Sequence, residues 1–304
     1  MIPIVFSTDD GYAMPTSVAI KSIVDTTSSD YLDFVILYKD SLNDISKTIL
    51  SFAAQSEKKH INISYIDVGE RLTLAKSHIG HITAATYYRI LLPLLLPDCD
   101  KCIYLDGDVI VSDDISKLAE IELTSSEYIA GVSTIMIQLS SKKTQETRMN
   151  KIGIPDFNKY INAGVLIMNL KSLRENNCIN KMIDLVPCDY PVQDQDILNV
   201  VCYGHIKILP PRYNVLPSIY HMSLRKLRHV YSYEDIVDAR NFPCVIHYAN
   251  KIKPWRYVNV KQGERWRQTY NELFYQIRIN SDHYSVFNRL SALLKRVLYR
   301  IKCI

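Results

Sequence analysis

The chain has no G-x-G-x-x-G after a predicted strand and no G-x-x-x-x-G-K-[ST] anywhere. Such glycine-rich loops let backbone N–H groups close on a phosphate. Without them, nicotinamide-type dinucleotide enzymes and P-loop nucleotidases lose most of their support. Disulfide and zinc frameworks are missing too. The 7 cysteines are scattered, and Cys99 and Cys102 form a lone C-x-x-C with no second pair at a suitable spacing. An odd count without a framework points to a reducing compartment. No uninterrupted apolar stretch reaches the ~18 residues that a membrane-spanning helix needs. Met1 to Phe6 is a short apolar run without a basic leader, and Asp9 and Asp10 follow at once, so no signal peptide is expected and a cytoplasmic protein is.

What is present is a chain of 304 residues, 47% hydrophobic and 22% charged, sufficient for a large soluble core. Ile2 to Phe6, Phe34 to Tyr38 and Ile61 to Val68 read as strands, with helices from Pro15 and after a capping-box-like spacing at Ser41 to Asp44. Strands alternating with helices predict right-handed βαβ units and a mostly parallel sheet. Asp9 and Asp10 fall in the first strand-to-helix turn, where an aspartate either caps the helix or faces a ligand.

The centre of the chain is KCIYLDGDVIV, Lys101 to Val111, an apolar strand that ends in Asp106, Gly107 and Asp108. Open α/β sheets place ligands beyond the carboxyl ends of their strands, so two carboxylates there suit a divalent cation. Aspartate and glycine are also ordinary turn formers, with Gly107 leaving the backbone free to bend. A helix is expected from about Thr83 to Leu92. Arg89 lies on it beside a core-forming leucine run and needs an anionic partner, either a ligand phosphate or a structural carboxylate.

The polar stretch from Gln138 to Lys151 reads as a surface loop or lid. YINAGVLIMNL, Tyr160 to Leu170, is a buried strand that begins with Asn162, Ala163 and Gly164, small enough for close backbone approach by a ligand or a neighbouring element. Gln193, Asp194, Gln195 and Asp196 open a helix. Capping needs only one of these groups, and the surplus suits a polyhydroxyl ligand. FPCVIHYANKIKPW, Phe242 to Trp255, reads as the last core strand, ended by His247 with Lys251 and Lys253 beyond it for a phosphate-bearing substrate.

In order, IVFSTDDGYA, YLDGDVIV, YINAGVLIMNL, QDQDILN and HYANKIKPW resemble the motifs of bacterial glycosyltransferase family 8, the retaining enzymes of lipopolysaccharide galactosyl- and glucosyltransferase type. The resemblance runs from the N-terminus to Trp255. It implies an α/β GT-A fold, a single Rossmann-like catalytic domain over residues 1–275, and transfer of galactose or glucose from UDP-galactose or UDP-glucose to a saccharide or glycolipid acceptor. Asp106, Asp108 and His247 would ligate Mn2+, or alternatively Mg2+. Ser7 and Asp9 would contact the uridine, Arg89 the donor, Asn162, Asp194 and Gln195 the transferred sugar, and Lys253 the diphosphate, with Gly107 and Ala163 lining the donor. Asp194 and Gln195 are the catalytic candidates. Asn250 stands where the family commonly has glycine and bears on diphosphate geometry and donor choice.

The net charge is only +4, but it is unevenly placed. Over residues 276–304, Arg278, Arg289, Lys295, Arg296, Arg300 and Lys302 face Asp282 alone, and Leu290, Leu294, Val297 and Ile301 recur at helical spacing. This C-terminal tail reads as an amphipathic helix in peripheral contact with an anionic membrane, at the inner face of the cell membrane; packing on the catalytic domain is the other explanation. Charge confined to the tail argues against nucleic acid. Two further readings stand beside glycosyl transfer. One is a haloacid-dehalogenase-like phosphatase, on the D-G-D-V pattern; the other is a sugar-nucleotide-binding subunit without turnover.

Overall fold

A computed structural model describes residues 2–39, 42–69, 84–188 and 190–279. The strands are β1 (Ile4–Ser7), β2 (Tyr31–Tyr38), β3 (His60–Asp67), β4 (Lys101–Leu105), β5 (Val109–Val111), β6 (Ile129–Ser133), β7 (Ile161–Asn169), β8 (Ile206–Ile208) and β9 (Val245–His247). Seven of them form one sheet in the order β3-β2-β1-β4-β7-β6-β8. β1 is parallel to β2 and β4, β2 to β3 and β6 to β8, whereas β7 is antiparallel to both of its neighbours. The sheet is therefore mostly parallel, as the alternating pattern predicts.

Its central strands are apolar on both faces because both are covered. Ile4 and Phe6 of β1, Ile103 and Leu105 of β4, and Val165 and Ile167 of β7 belong to one core, with Val18, Ile20 and Ile23 of helix α1 (Ala13–Thr26). Val5, Tyr104, Leu166 and Met168 point the other way, onto Ile90, Leu91, Ile197 and Leu198. The two-residue period of a strand divides the same segments between two cores.

Four expectations are corrected. The segment before the leucine run is a 3-10 helix, Ala84–Leu91, continued by a short α-helix at Leu92–Leu95; Pro93 has no N–H to close an α-helical bond on Arg89. Helix α2 (Asp44–Ala53) is capped by Asn43, which accepts from Ser46 N at 2.9 Å. The stretch expected as a loop is a helix, Lys142–Ile152, capped by Ser141 and stopped by Gly153 at φ 79°. β9 lies outside the main sheet; it pairs with β5 in a two-stranded antiparallel ribbon. The last described helix, Gly263–Ile279, runs through the boundary expected at residue 275, and the rest of the expected tail lies outside the described residues. Among the described residues no helix is long and apolar enough to cross a membrane.

Candidate functional site

The reversal of β7 creates the site. β4 ends at Leu105, and its antiparallel partner begins where β4 stops, so Asn162, Ala163 and Gly164 share an edge with Asp106. Asp106 N donates to Gly164 O at 2.8 Å. The ribbon supplies the remaining wall: Val109 is opposite His247, which sets the imidazole beside Asp108.

Asp106, Asp108 and His247 each offer a ligand atom, all within 4.8 Å of one another. His247 Nε2 lies 3.2 Å from Asp108 Oδ1 and 3.7 Å from Asp106 Oδ2. On the other side of the ring, Nδ1 is 3.0 Å from Asn214 Oδ1. Asn214 Nδ2 in turn donates to Asn162 Oδ1 at 2.8 Å, so the Asn214 oxygen faces the histidine. The imidazole then donates through Nδ1, which leaves Nε2 to the carboxylate side: there it approaches Asp108 as a donor, and it would turn a lone pair to a bound cation, as a metal-ligating histidine does. Two carboxylates and one such nitrogen form a donor set that fits a divalent first-row cation.

Small residues make room for the cluster. A β-carbon on Gly164 would stand 2.2 Å from His247 Cε1, and one on Gly107 would stand 2.3 Å from Thr16 Oγ1. Gly107 thus serves closeness rather than an unusual backbone bend.

Two cations balance the carboxylates. Lys253, nearly buried, reaches Asp108 Oδ2 at 2.5 Å and Tyr248 O at 2.6 Å. Arg89, 4% exposed, bridges Asp106 Oδ1 at 2.7 Å and Asp194 Oδ2 at 3.0 Å and lies over the Tyr104 ring. Its anionic partners in this structure are thus two carboxylates of the candidate site itself. Burial alone would raise Asp108, but His247 and Lys253 hold it well below the usual carboxylate range. Asp194 is pushed up to about 7, by burial first, with Arg89 opposing and Asp106 adding to the rise. Burial and then the charges of Asp108 and Asp106 push the Tyr12 hydroxyl up as well.

Gln195 Oε1 accepts from Asn162 Nδ2 at 3.0 Å and from Ala163 N at 3.2 Å. One contact network therefore joins Arg89, Asp106, Asp108, Asn162, Ala163, Asp194, Gln195, His247 and Lys253. Three expected residues stand apart from it. Ser7 ends β1 against Leu37; Asp9 Oδ1 accepts from Tyr12 N at 2.9 Å at the start of α1; Asn250 is exposed in the bend after β9. Asp10 is structural, holding Asn43 N at 3.0 Å and Ser46 Oγ at 2.7 Å at the head of α2. Asn214 was not expected, and PRYNV carries no sequence signal for it. Tyr160 and Arg148 were likewise missed as partners of the Gln193–Val201 helix.

The sequence profile of glycosyl transferase family 8 matches residues 3–259. The chain is 29% identical to a lipopolysaccharide 1,2-glucosyltransferase of Escherichia coli, over 86% of this chain and 76% of that one. It is 27% identical to general stress protein A of Bacillus subtilis, over 83% and 86%. The fold superposes on the galactosyltransferase LgtC, solved with donor and acceptor sugar analogs, with a TM-score of 0.74 and 30% identity, over 89% of this chain and 96% of that one.

Proposed function

The chain belongs to glycosyl transferase family 8, a transferase of GT-A fold, and from that premise we propose that it moves a hexose from a UDP-sugar to a saccharide acceptor with retention at the sugar carbon. The observation that carries this reading is the convergence of Asp106, Asp108 and His247 at the carboxyl edge of the sheet. These three would hold Mn2+, with Mg2+ as the alternative, and the cation would supply Lewis-acid stabilisation of the charge that develops on the departing diphosphate. Lys253 adds a fixed positive charge beside it. Arg89 keeps Asp106 and Asp194 in place. Asp194 and Gln195 would line the sugar, where positive character builds as its bond to UDP breaks. Ser7 and Asp9, at the carboxyl end of β1, would contact the uridine, with Tyr12, 37% exposed, beside the carboxylate pair.

Galactose and glucose are the proposed hexoses, and a lipopolysaccharide or another surface glycan the acceptor, by analogy with the galactosyl- and glucosyltransferases above. Residues 276–304 would bring the enzyme to the inner face of the cell membrane, near a lipid-linked acceptor. The family match sets the phosphatase reading aside.

The test is UDP release from a panel of UDP-sugars with and without Mn2+. Turnover with one hexose donor, lost on chelation and in Asp108→Asn, is expected. Saturable UDP binding with no turnover, candidate acceptors included, would favour a binding subunit instead. Near-normal activity of Asp108→Asn would remove the cation assignment. Co-sedimentation with anionic vesicles should weaken when residues 276–304 are deleted; undiminished binding would reject the tail.

A further inference from the structure

Asp196 is fully buried, yet it lies outside the Asp106–Asp108–His247 cluster. Its Oδ2 accepts from Val192 N at 2.7 Å. Its Oδ1 accepts from Arg148 Nη2 at 2.8 Å and from the hydroxyl of Tyr160. Arg148 belongs to the helix Lys142–Ile152, which is seated on a small separate core of Ile137, Ile152, Ile154, Phe157 and Tyr160.

A phenol hydroxyl has one proton to give. Tyr160 gives it to Asp196, so its oxygen accepts from the groups that remain: Arg148 Nη2 at 2.9 Å and Gln195 Nε2 at 3.2 Å. A carboxamide obliged to donate through Nε2 on one side presents Oε1 on the other. There Gln195 meets Asn162 Nδ2 and Ala163 N, the second a backbone donor that cannot be turned round. Both ends of the amide thus specify one orientation.

We propose that Arg148 and Tyr160 are positioning residues that, through Asp196, fix which face of the Gln195 amide is turned toward the transferred sugar. The proposal rests on the glycosyltransferase reading for its effect on turnover, though the amide orientation itself does not. Arg148 contributes twice. It is the counter-charge of a fully buried carboxylate, and removing one member of such a pair is strongly destabilising. It also donates to the Tyr160 oxygen, which locates the phenol between Asp196 and Gln195. With methionine at 148, Asp196 loses its counter-charge and the Tyr160 oxygen one of its two donors, so the acceptor that faces Gln195 Nε2 is no longer held in one place and the amide is no longer confined to one orientation.

Two measurements on the full chain test this. In a 15N spectrum, the Gln195 side-chain signals, identified by their loss in Gln195→Ala, should be one dispersed, slowly exchanging pair in the wild type. In Arg148→Met and Tyr160→Phe they should broaden or double, and Arg148→Lys should restore them. In kinetics, both variants should lose about 10- to 100-fold in kcat with little change in donor KM, the scale of a misplaced catalytic group. In a Gln195→Ala background the same changes should alter kcat by less than about twofold, because their effect passes through the missing amide. Unchanged Gln195 signals, or losses that multiply undiminished in the Gln195→Ala background, would overturn the proposal. Tyr160→Phe removes one hydroxyl and decides the matter if Arg148→Met fails to fold. A wild type inert toward every donor would count against glycosyl transfer, while the spectra still judge the orientation.

Discussion

Replacing Gly164 with alanine would perturb the proposed cation site without altering a charged group. The added carbon would lie 2.2 Å from His247 Cε1 and 2.7 Å from both His247 Nδ1 and Asp106 Oδ2. Carbon atoms in contact settle near ~3.5–4.0 Å, so something must retreat by more than ~1 Å. The backbones resist. Gly164 is tied to Asp106 N at 2.8 Å inside a paired strand, and His247 N donates to Val215 O at 3.1 Å. The imidazole is what gives, and its retreat breaks the 3.0 Å bond to Asn214 and draws Nε2 away from Asp108. Overpacking of this kind costs about 1–3 kcal/mol. Disturbing a ligand's outer support lowers metal affinity about 10- to 100-fold. Urea denaturation without metal reads the first effect, and calorimetric titration with Mn2+ reads the second. The decisive control is His247→Ala, which removes the atom struck first and leaves, of these three contacts, the 2.7 Å approach to the Asp106 carboxylate. In that background the stability cost of Gly164→Ala should fall below about 1 kcal/mol. An equal cost with and without His247 would refute the argument from space.

Asn214→Ala should weaken Mn2+ binding about 10- to 100-fold, since it frees the imidazole Nδ1 that Asn214 now holds, and an unaltered Kd in the same titration would refute that role. Asp194→Asn should change how stability depends on pH. The Asp194 carboxyl is pushed up to about 7, by burial above all, whereas an unfolded aspartate titrates near ~3.9. The folded chain therefore keeps a proton that the unfolded chain has lost, and this group subtracts stability as pH rises from about 4 to about 7, with the penalty complete above that. The asparagine variant lacks this ionisation. Its unfolding free energy in urea relative to the wild type should improve between about pH 5 and pH 8, by up to about 1.4 kcal/mol per pH unit below 7, and a constant difference would refute the assignment.

The strands were legible because burial on both faces leaves continuous apolar runs, as in Ile4, Val5 and Phe6. The carboxylates were legible because Asp106 and Asp108 interrupt such a run abruptly. The direction of β7 was not. A strand's apolar pattern is the same whichever way it runs, and only the reversal carries Asn162, Ala163 and Gly164 to the edge where β4 ends. The helix Lys142–Ile152 was hidden for a different reason. With Met149 and Ile152 as its only apolar residues, it shows no stripe, and only Ser141 and Gly153 mark its ends.

The placement of His247 shows why a site of this kind resists reading by motif alone. Asp106 hangs from the main sheet through its bond to Gly164 O, but Asp108 and His247 hang from the β5–β9 ribbon, which the sequence presents as two unrelated apolar triplets. Val109 opposite His247 is the register that joins them. Slipping an antiparallel pair by one residue turns every side chain of a strand to the other face. The imidazole would then leave Asp108, and Ile246 would take its place. The Asp106–Asp108–His247 cluster is therefore a consequence of ribbon register as much as of the aspartates themselves, and the short triplets Val109–Val111 and Val245–His247 shape the candidate site through their pairing rather than their composition.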